Sequence, residues 1–161
     1  MALYGKLETD VEIKASAEKF HEILHQKPHH MSKASSDKIQ SCELHEGEWG
    51  KVDSILYFTY AHDGKVSVAK DLIEAVDEEN NSFTWKVLEG DLLEYYKSFR
   101  IRVQSIPKDE GSVIHFTLEY EKLHEGIPDS HSLLQLCADV SKDIEAYLMG
   151  NNNESSFIAK A

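Results

Sequence analysis

The residues with the clearest capacity for chemistry are four histidines near the start of the chain: His21, His25, His29 and His30. His21 and His25 are four positions apart, so they share one side of a helix, where two imidazole nitrogens can hold a metal ion. Pro28 interrupts that helical side, and neither a cysteine nor a well-placed carboxylate completes a tetrahedral ligand set. The pattern therefore favours surface histidines that bind zinc or nickel only adventitiously, and it predicts no metal ion and no cofactor.

The glycine-rich segment Glu46–Lys51 invites comparison with phosphate-binding loops. The phosphate-loop pattern has four residues between its glycines and a hydroxyl residue after its lysine. Here Gly47 and Gly50 are closer together, Val52 follows the lysine, and two glutamates would repel phosphate. We interpret the segment as a structural turn. The chain also contains neither the dinucleotide glycine pattern nor a nucleophile elbow with a Ser/His/Asp order.

The composition narrows the possible partners. The 161 residues carry 17 basic and 29 acidic side chains, a formal net charge of −12. Such a surface repels phosphate backbones and anionic lipid, so we expect neither nucleic acid nor membrane insertion. No apolar run approaches the roughly 20 residues that span a bilayer, and no secretory signal is recognisable. With Cys42 and Cys137 as the only cysteines, we expect reduced thiols and a cytoplasmic protein.

The elements that must position any site follow from hydrophobic periodicity. Alternation of apolar and polar residues predicts a strand at 6–14 and a strand meander from about residue 37 onward. Within the meander, strands are predicted at 55–60, 66–76, 83–88, 99–104 and 114–121. Ser16 predicts the start of a short helix that Pro28 ends, and a second short helix is expected at 29–34.

The longest helical pattern runs from Ser132 to about Met149. Leu133, Leu136, Val140 and Ile144 recur along one stripe of it. Gly150 and the asparagines after it are expected to close the helix. The chain is thus predicted to form one domain over residues 1–150, followed by a polar tail at 151–161.

This order of elements predicts an α+β fold. Strands joined by short turns pair antiparallel, and the long helix is the natural cover for their apolar face. Because a twisted sheet curves, one helix need not fill its concave side. The inward positions are unusually aromatic, so the residues alone leave open a packed core and a ligand pocket.

Seven segments, taken in order, resemble the major latex protein family of plants. They are Gly5–Glu8, His45–Lys51 with Ser54–Ile55, Ile73–Asp77, Leu88–Asp91, Tyr96–Phe99, Leu118–Lys122 and Ser141–Ile144. The resemblance extends over residues 3–149. That family sits in the superfamily of the birch pollen allergen and the class-ten pathogenesis-related proteins.

The resemblance implies a helix-grip fold: a seven-stranded curved antiparallel sheet around a long C-terminal helix, with two short helices after the first strand. It also implies a large cavity that binds and carries or sequesters hydrophobic small molecules, such as fatty acids, sterols and flavonoid- or hormone-like metabolites, in plant defence or stress responses. A monomer or weak dimer is expected. The Ser-Gly-Leu-Pro-Ala gate loop of the related hormone receptors does not occur in the sequence.

Strand parity and the resemblance together predict the ligand-binding residues. They are Leu56, Phe58, Asp71, Phe83, Trp85, Tyr95, Lys97, Phe99, Ile101, Phe116, Leu136 and Val140. Asp71 and Lys97 are expected to be the polar groups nearest the cavity, paired with each other or orienting a ligand's polar head. One alternative is an alkaloid-condensing enzyme with Lys97 as general base. Another is a protein that acts only through its surface.

Overall fold

The protein is described by a computed structural model that covers the backbone of residues 3–160 and the side chains of residues 3–150. Its strands are β1 (Tyr4–Ile13), β2 (Ile39–Glu46), β3 (Ile55–His62), β4 (Lys65–Asp77), β5 (Ser82–Gly90), β6 (Tyr96–Pro107) and β7 (Ser112–Lys122). Its α-helices are α1 (Ala17–His21), α2 (Met31–Ala34) and α3 (His131–Lys160). A 3-10 turn, Asp91–Glu94, joins β5 to β6.

The seven strands form one antiparallel sheet in the order β1-β7-β6-β5-β4-β3-β2. Every neighbouring pair from β2 to β7 is consecutive in sequence, which short turns between amphipathic strands require. The first strand closes the order by pairing with β7, with Leu7 opposite Leu118. The curved sheet, the long C-terminal helix and the two short helices after β1 confirm the predicted fold class.

The segment between β1 and β2 contains more helical turns than the pattern predicts. The Ser16 side chain accepts a hydrogen bond from the backbone of Lys19 and so starts α1. After His21 the chain widens into a π-helical turn, Glu22–Gln26, in which the Lys27 amide donates to the Glu22 carbonyl. Pro28 then opens a 3-10 turn, Pro28–His30, that leads into α2.

Helix α3 covers the concave face of the sheet with the predicted stripe. Leu133, Val140 and Ile144 are buried against the core formed by the inward side chains of the strands. The helix does not end at Gly150, where the sequence pattern placed its end; glycine weakens a helix interior without forbidding it. The side chains of the predicted tail, 151–161, lie outside the described residues. No helix in the described part of the chain is both long and apolar enough to cross a membrane.

The glycine-rich segment is a turn between β2 and β3. Gly47 and Gly50 both have positive φ angles, 90° and 78°, which favour glycine. The Ser54 hydroxyl accepts a hydrogen bond of 2.9 Å from the amide of Glu48 and holds the turn closed.

Candidate functional site

A cavity of about 90 Å³ lies between the sheet and α3. Its wall is almost entirely apolar, and it is contributed by β2 to β7, the helical segment before β2, the turn after β5 and α3. The lining residues are Leu24, Met31, Ile39, Phe58, Tyr60, Ala69, Asp71, Trp85, Val87, Leu92, Ile101, Val103, Phe116, Leu133, Leu136, Cys137, Val140, Ser141 and Ile144. The interior is therefore not completely filled by the protein's own side chains.

Seven of the twelve residues predicted to bind a ligand line this cavity. They are Phe58, Asp71, Trp85, Ile101, Phe116, Leu136 and Val140. Their common feature is position: each inward strand residue lies near the middle of its strand, and the two helix residues lie on the stripe facing the sheet. Contact with a ligand remains a prediction for all seven.

Three further predicted residues are buried but lie elsewhere in the core. The Phe83 ring stacks on His25, with centroids 5.7 Å apart, beneath the N-terminal helical segment. The Phe99 ring stacks on Tyr120 at 5.4 Å. Leu56 is fully buried without lining the cavity. Strand parity identifies the inward face correctly, but it does not tell which part of that face remains uncovered.

The predicted positions of Lys97 and Tyr95 beside the cavity are wrong. A β-bulge interrupts the pairing of β6 with β7 between Tyr96 and Ser98, and it reverses the alternation at that point. As a result Lys97 points outward with 70% of its side chain exposed, and its Nζ lies 3.9 Å from Glu121. Tyr96 is the buried tyrosine, and Tyr95 is exposed. Lys97 therefore does not pair with Asp71.

Sequence reasoning missed several lining residues that a simple signal identifies. Ala69, Val87 and Val103 have the same strand parity as the predicted lining residues Asp71, Trp85 and Ile101, but their side chains are smaller than the aromatic ones. Leu133 and Ile144 belong to the helix stripe that the sequence predicts, and Cys137 lies one turn before Val140 and Ser141 on the same helix. Leu92 had no signal, because it projects from the 3-10 turn after β5 and that turn is not apparent in the sequence.

Asp71 and Trp85 give the cavity its polar character. Only 4% of Asp71 is exposed, and within the described part of the chain neither its Oδ1 nor the Trp85 Nε1 has a hydrogen-bond partner. Asp71 pairs with Val87, and Trp85 pairs with Ile73, so the two side chains occupy diagonal positions on β4 and β5. Burial raises the pKa of the Asp71 carboxyl to about 7, so near neutral pH a large fraction of it is protonated.

A second, more polar space of about 310 Å³ adjoins the cavity; we call it the mouth. It lies among the β3–β4 turn, the turn after β5 and the segment leading into α3, and Tyr95 lines it. Tyr60 and Leu92 line both the mouth and the cavity, so these two side chains separate the spaces.

Hydrogen bonds hold the two sides of the mouth together. On the exposed side, the Ser132 hydroxyl donates to Asp63 at 3.1 Å and lies 2.9 Å from the His62 ring nitrogen. Further in, the Ser130 hydroxyl donates to the Tyr96 oxygen at 2.7 Å, and Tyr96 donates to the Pro128 carbonyl at 2.8 Å. Because the outer contacts are exposed, their rupture costs less than opening the sheet.

The interpretation of His21 and His25 as surface histidines is wrong. Both side chains are buried, with only 5% and 1% exposed. They lie between the N-terminal helical segment and β5, with Phe83 against both rings. A signal for this burial exists in the sequence, since the apolar residues Phe20 and Leu24 lie on the same side of the helical segment as the two histidines. His29 and His30 lie apart from this pair, and His29 packs on Trp49 with centroids 4.2 Å apart.

Comparisons with known proteins agree with this architecture. The model of the pathogenesis-related protein Bet v 1 family matches residues 2–151. MLP-like protein 43 of Arabidopsis thaliana is 55% identical over 150 residues, which cover 92% of this chain and 95% of that protein.

Two solved structures place the fold among related plant proteins. Ginseng major latex-like protein 151 from Panax ginseng has a TM-score of 0.88 and 41% identity, covering 91% of this chain and 98% of its own. Norcoclaurine synthase from Thalictrum flavum has a TM-score of 0.70 at 19% identity, covering 91% of this chain and 96% of its own. The latter likeness concerns the fold alone.

Proposed function

The chain belongs to the pathogenesis-related protein Bet v 1 family, within its major latex protein branch, and we propose that it binds hydrophobic small molecules in the cavity between sheet and α3. Ligand binding is a known property of this family. Carriage or sequestration of such a molecule in plant defence or stress responses is the corresponding role that we propose for this chain.

The observation that carries the proposal is an apolar cavity with two unsatisfied polar atoms. An empty cavity costs stability because the atoms around it lose packing contacts. A buried polar atom without a partner costs a further 1–3 kcal/mol or so. The described residues leave both costs in one place, at Asp71 Oδ1 and Trp85 Nε1. A ligand that fills the space and bonds to these atoms removes both.

The same two atoms favour a neutral ligand with one polar group. A hydroxyl or carbonyl oxygen can accept a hydrogen bond from Trp85 Nε1 or from the protonated Asp71 carboxyl. A ligand carboxylate beside Asp71 would instead place two acids together, which disfavours ionisation of both. Among the molecules that the family resemblance suggests, sterols and flavonoid-like compounds therefore fit this pair better than ionised fatty acids.

A ligand the size of a sterol or a flavonoid requires the cavity to expand. Pockets for drug-sized molecules hold roughly 300–1,000 Å³, compared with about 90 Å³ here. The adjoining mouth supplies the missing volume if Tyr60 and Leu92 move apart. If the ligand buries roughly 300 Å² of apolar surface, the gross gain is about 7 kcal/mol. Ordering costs reduce this gain, so burial of that surface alone gives an affinity weaker than about 1 μM.

Fluorescence of Trp85 tests the proposal. The second tryptophan, Trp49, packs on His29 away from the cavity, so a Trp49→Phe variant leaves Trp85 as the only reporter. Titration with a plant sterol or an uncharged flavonoid should quench Trp85 saturably, and Asp71→Leu should weaken that response. If neither compound, nor a fatty acid, changes Trp85 emission, the proposal fails and a protein acting only through its surface becomes the better account.

The alternative of an alkaloid-condensing enzyme loses its proposed base. Lys97 is exposed on the outer face of β6 and cannot reach a molecule inside the cavity. The likeness to norcoclaurine synthase does not restore this alternative, because at 19% identity it concerns the fold alone. We therefore propose a binding protein rather than an enzyme.

A further inference from the structure

The buried histidine pair meets a carboxylate from a distant part of the chain. The Glu78 Oε1 atom, in the turn between β4 and β5, lies 2.8 Å from His25 Nε2 and 3.4 Å from His21 Nε2. Each of the three residues offers one ligand atom, and these ligand atoms lie within 4.8 Å of one another. Zinc bonds of about 2.0–2.1 Å in a tetrahedral arrangement place neighbouring ligand atoms about 3.3 Å apart. The two distances to Glu78 are thus close to the separation that a single zinc ion requires.

One hydrogen bond joins His21 Nε2 to Glu78 Oε1 at 3.4 Å, but among the described residues it leaves the other three ring nitrogens of the two histidines without a partner. His25 Nε2 is buried and is 2.8 Å from Glu78 Oε1, but the two are not aligned for a hydrogen bond, and no other described atom provides a partner. Such an offset is what a shared metal ion produces, because the nitrogen lone pair then points at the ion rather than at the neighbouring oxygen. Without an ion, the buried His25 Nε2 atom carries the cost of an unsatisfied polar atom.

The fold holds the three groups in place. The π-helical turn begins directly after His21 and contains His25, and such turns often occur at functional sites. The ring centroids of the two histidines are 5.1 Å apart, and both Nε2 atoms approach the same Glu78 oxygen. The turn that carries Glu78 is fixed on its other side, where the Ser105 amide donates to the Asn81 carbonyl at 2.9 Å.

We propose that His21, His25 and Glu78 form a binding site for one divalent transition metal ion of the zinc class. The two Nε2 atoms and one Glu78 oxygen are the protein ligands. Water completes the coordination from the solvent side, where 60% of the Glu78 side chain is exposed. Imidazole ligands select zinc, copper or nickel over calcium or magnesium. This site is separate from the cavity and does not depend on lipophile binding.

Direct metal binding tests the proposal on the full chain without an affinity tag. Equilibrium dialysis against Zn²⁺ should show one ion per chain, and Co²⁺ should produce the intense visible absorption of tetrahedral coordination. Glu78→Gln keeps the size of the side chain and lies at the surface, so it should fold normally. Loss of a group that only hydrogen-bonds to a metal ligand weakens metal binding about 10–100-fold. Loss of Glu78, which is itself a proposed ligand, should therefore weaken Zn²⁺ binding at least about tenfold.

Glu79→Gln is the matched control, because Glu79 is an exposed neighbour in the same turn and has the same charge. His21→Gln, checked for folding by circular dichroism, provides a second test of the same site. We expect Glu79→Gln to bind like the parent protein and the other two variants to lose the cobalt spectrum. Absence of stoichiometric Zn²⁺ binding, or equal binding by the Glu78→Gln and Glu79→Gln variants, would overturn the proposal.

Discussion

The parent protein is expected to lose stability as the pH rises, and replacing Asp71 with asparagine is expected to remove that loss. Asp71 is buried in the cavity wall, and burial raises the pKa of its carboxyl from 3.8 to about 7. For a carboxyl whose pKa is higher in the folded state, the stabilising contribution is complete below the unfolded-state pKa. That contribution is lost progressively as the pH rises from the unfolded-state pKa to the folded-state pKa. Asparagine has nearly the same shape and never ionises, so the variant should not show this loss.

The size of the effect follows from the shift of about three pKa units. At about 1.4 kcal/mol per unit, the full loss is about 4 kcal/mol. Part of it has already occurred at pH 5, where the unfolded carboxyl is mostly ionised. Between about pH 5 and pH 9, the parent protein should therefore lose about 3 kcal/mol of unfolding free energy that the variant keeps.

Urea unfolding of both proteins at the two pH values measures this difference. Comparing the change with pH in the variant and in the parent cancels the contribution of all other titrating groups. Asp109→Asn is the control, since Asp109 is exposed in the β6–β7 turn. If Asp71→Asn and the parent lose the same free energy between the two pH values, Asp71 is not buried as an unpaired acid and the reasoning is refuted.

Three further results are expected of the cavity and its mouth. Val140→Phe should fill the cavity and weaken lipophile binding at least about tenfold, whereas Val140→Ala should preserve binding and cost about 2 kcal/mol of stability. Fluorescence titration measures the binding and urea unfolding measures the stability. Equal binding by the two variants would count against the cavity. Ser132→Ala should speed ligand uptake about fivefold by removing about 1 kcal/mol of contact across the mouth, and stopped-flow fluorescence would contradict this with an unchanged rate. Burial raises the pKa of the Cys137 thiol to about 12, so Cys137 should react slowly with Ellman's reagent, and more slowly still when ligand is bound. The Cys137→Ser variant identifies the share of the reaction that belongs to Cys137. A fast reaction that ligand does not change would be contrary evidence.

Much of the fold could be predicted because hydrophobic periodicity and turn residues agreed along the chain. The alternation in β5, where Phe83, Trp85 and Val87 are buried, is one example. The helical stripe of α3 is another. The π-helical turn could not be predicted, because no local residue signal marks a change of backbone winding. The continuation of α3 past Gly150 could not be predicted either, because glycine and asparagine commonly mark a helix end.

The site was predicted less completely, for two physical reasons. A single β-bulge after Tyr96 reverses which side chains face inward, and no residue type marks it. The third group beside His21 and His25 is Glu78, which is far away in sequence and reaches them only through the sheet. Asp71, in contrast, lines the cavity as strand parity and the family resemblance predict.

The most direct test of ligand binding inside the fold is an NMR measurement of nuclear Overhauser effects between a bound sterol or flavonoid and the protein. The account predicts contacts from the ligand to the methyl groups of Val140, Ile144 and Ile101, which line opposite walls of the cavity. Contacts confined to exposed side chains, with none to these three residues, would contradict it.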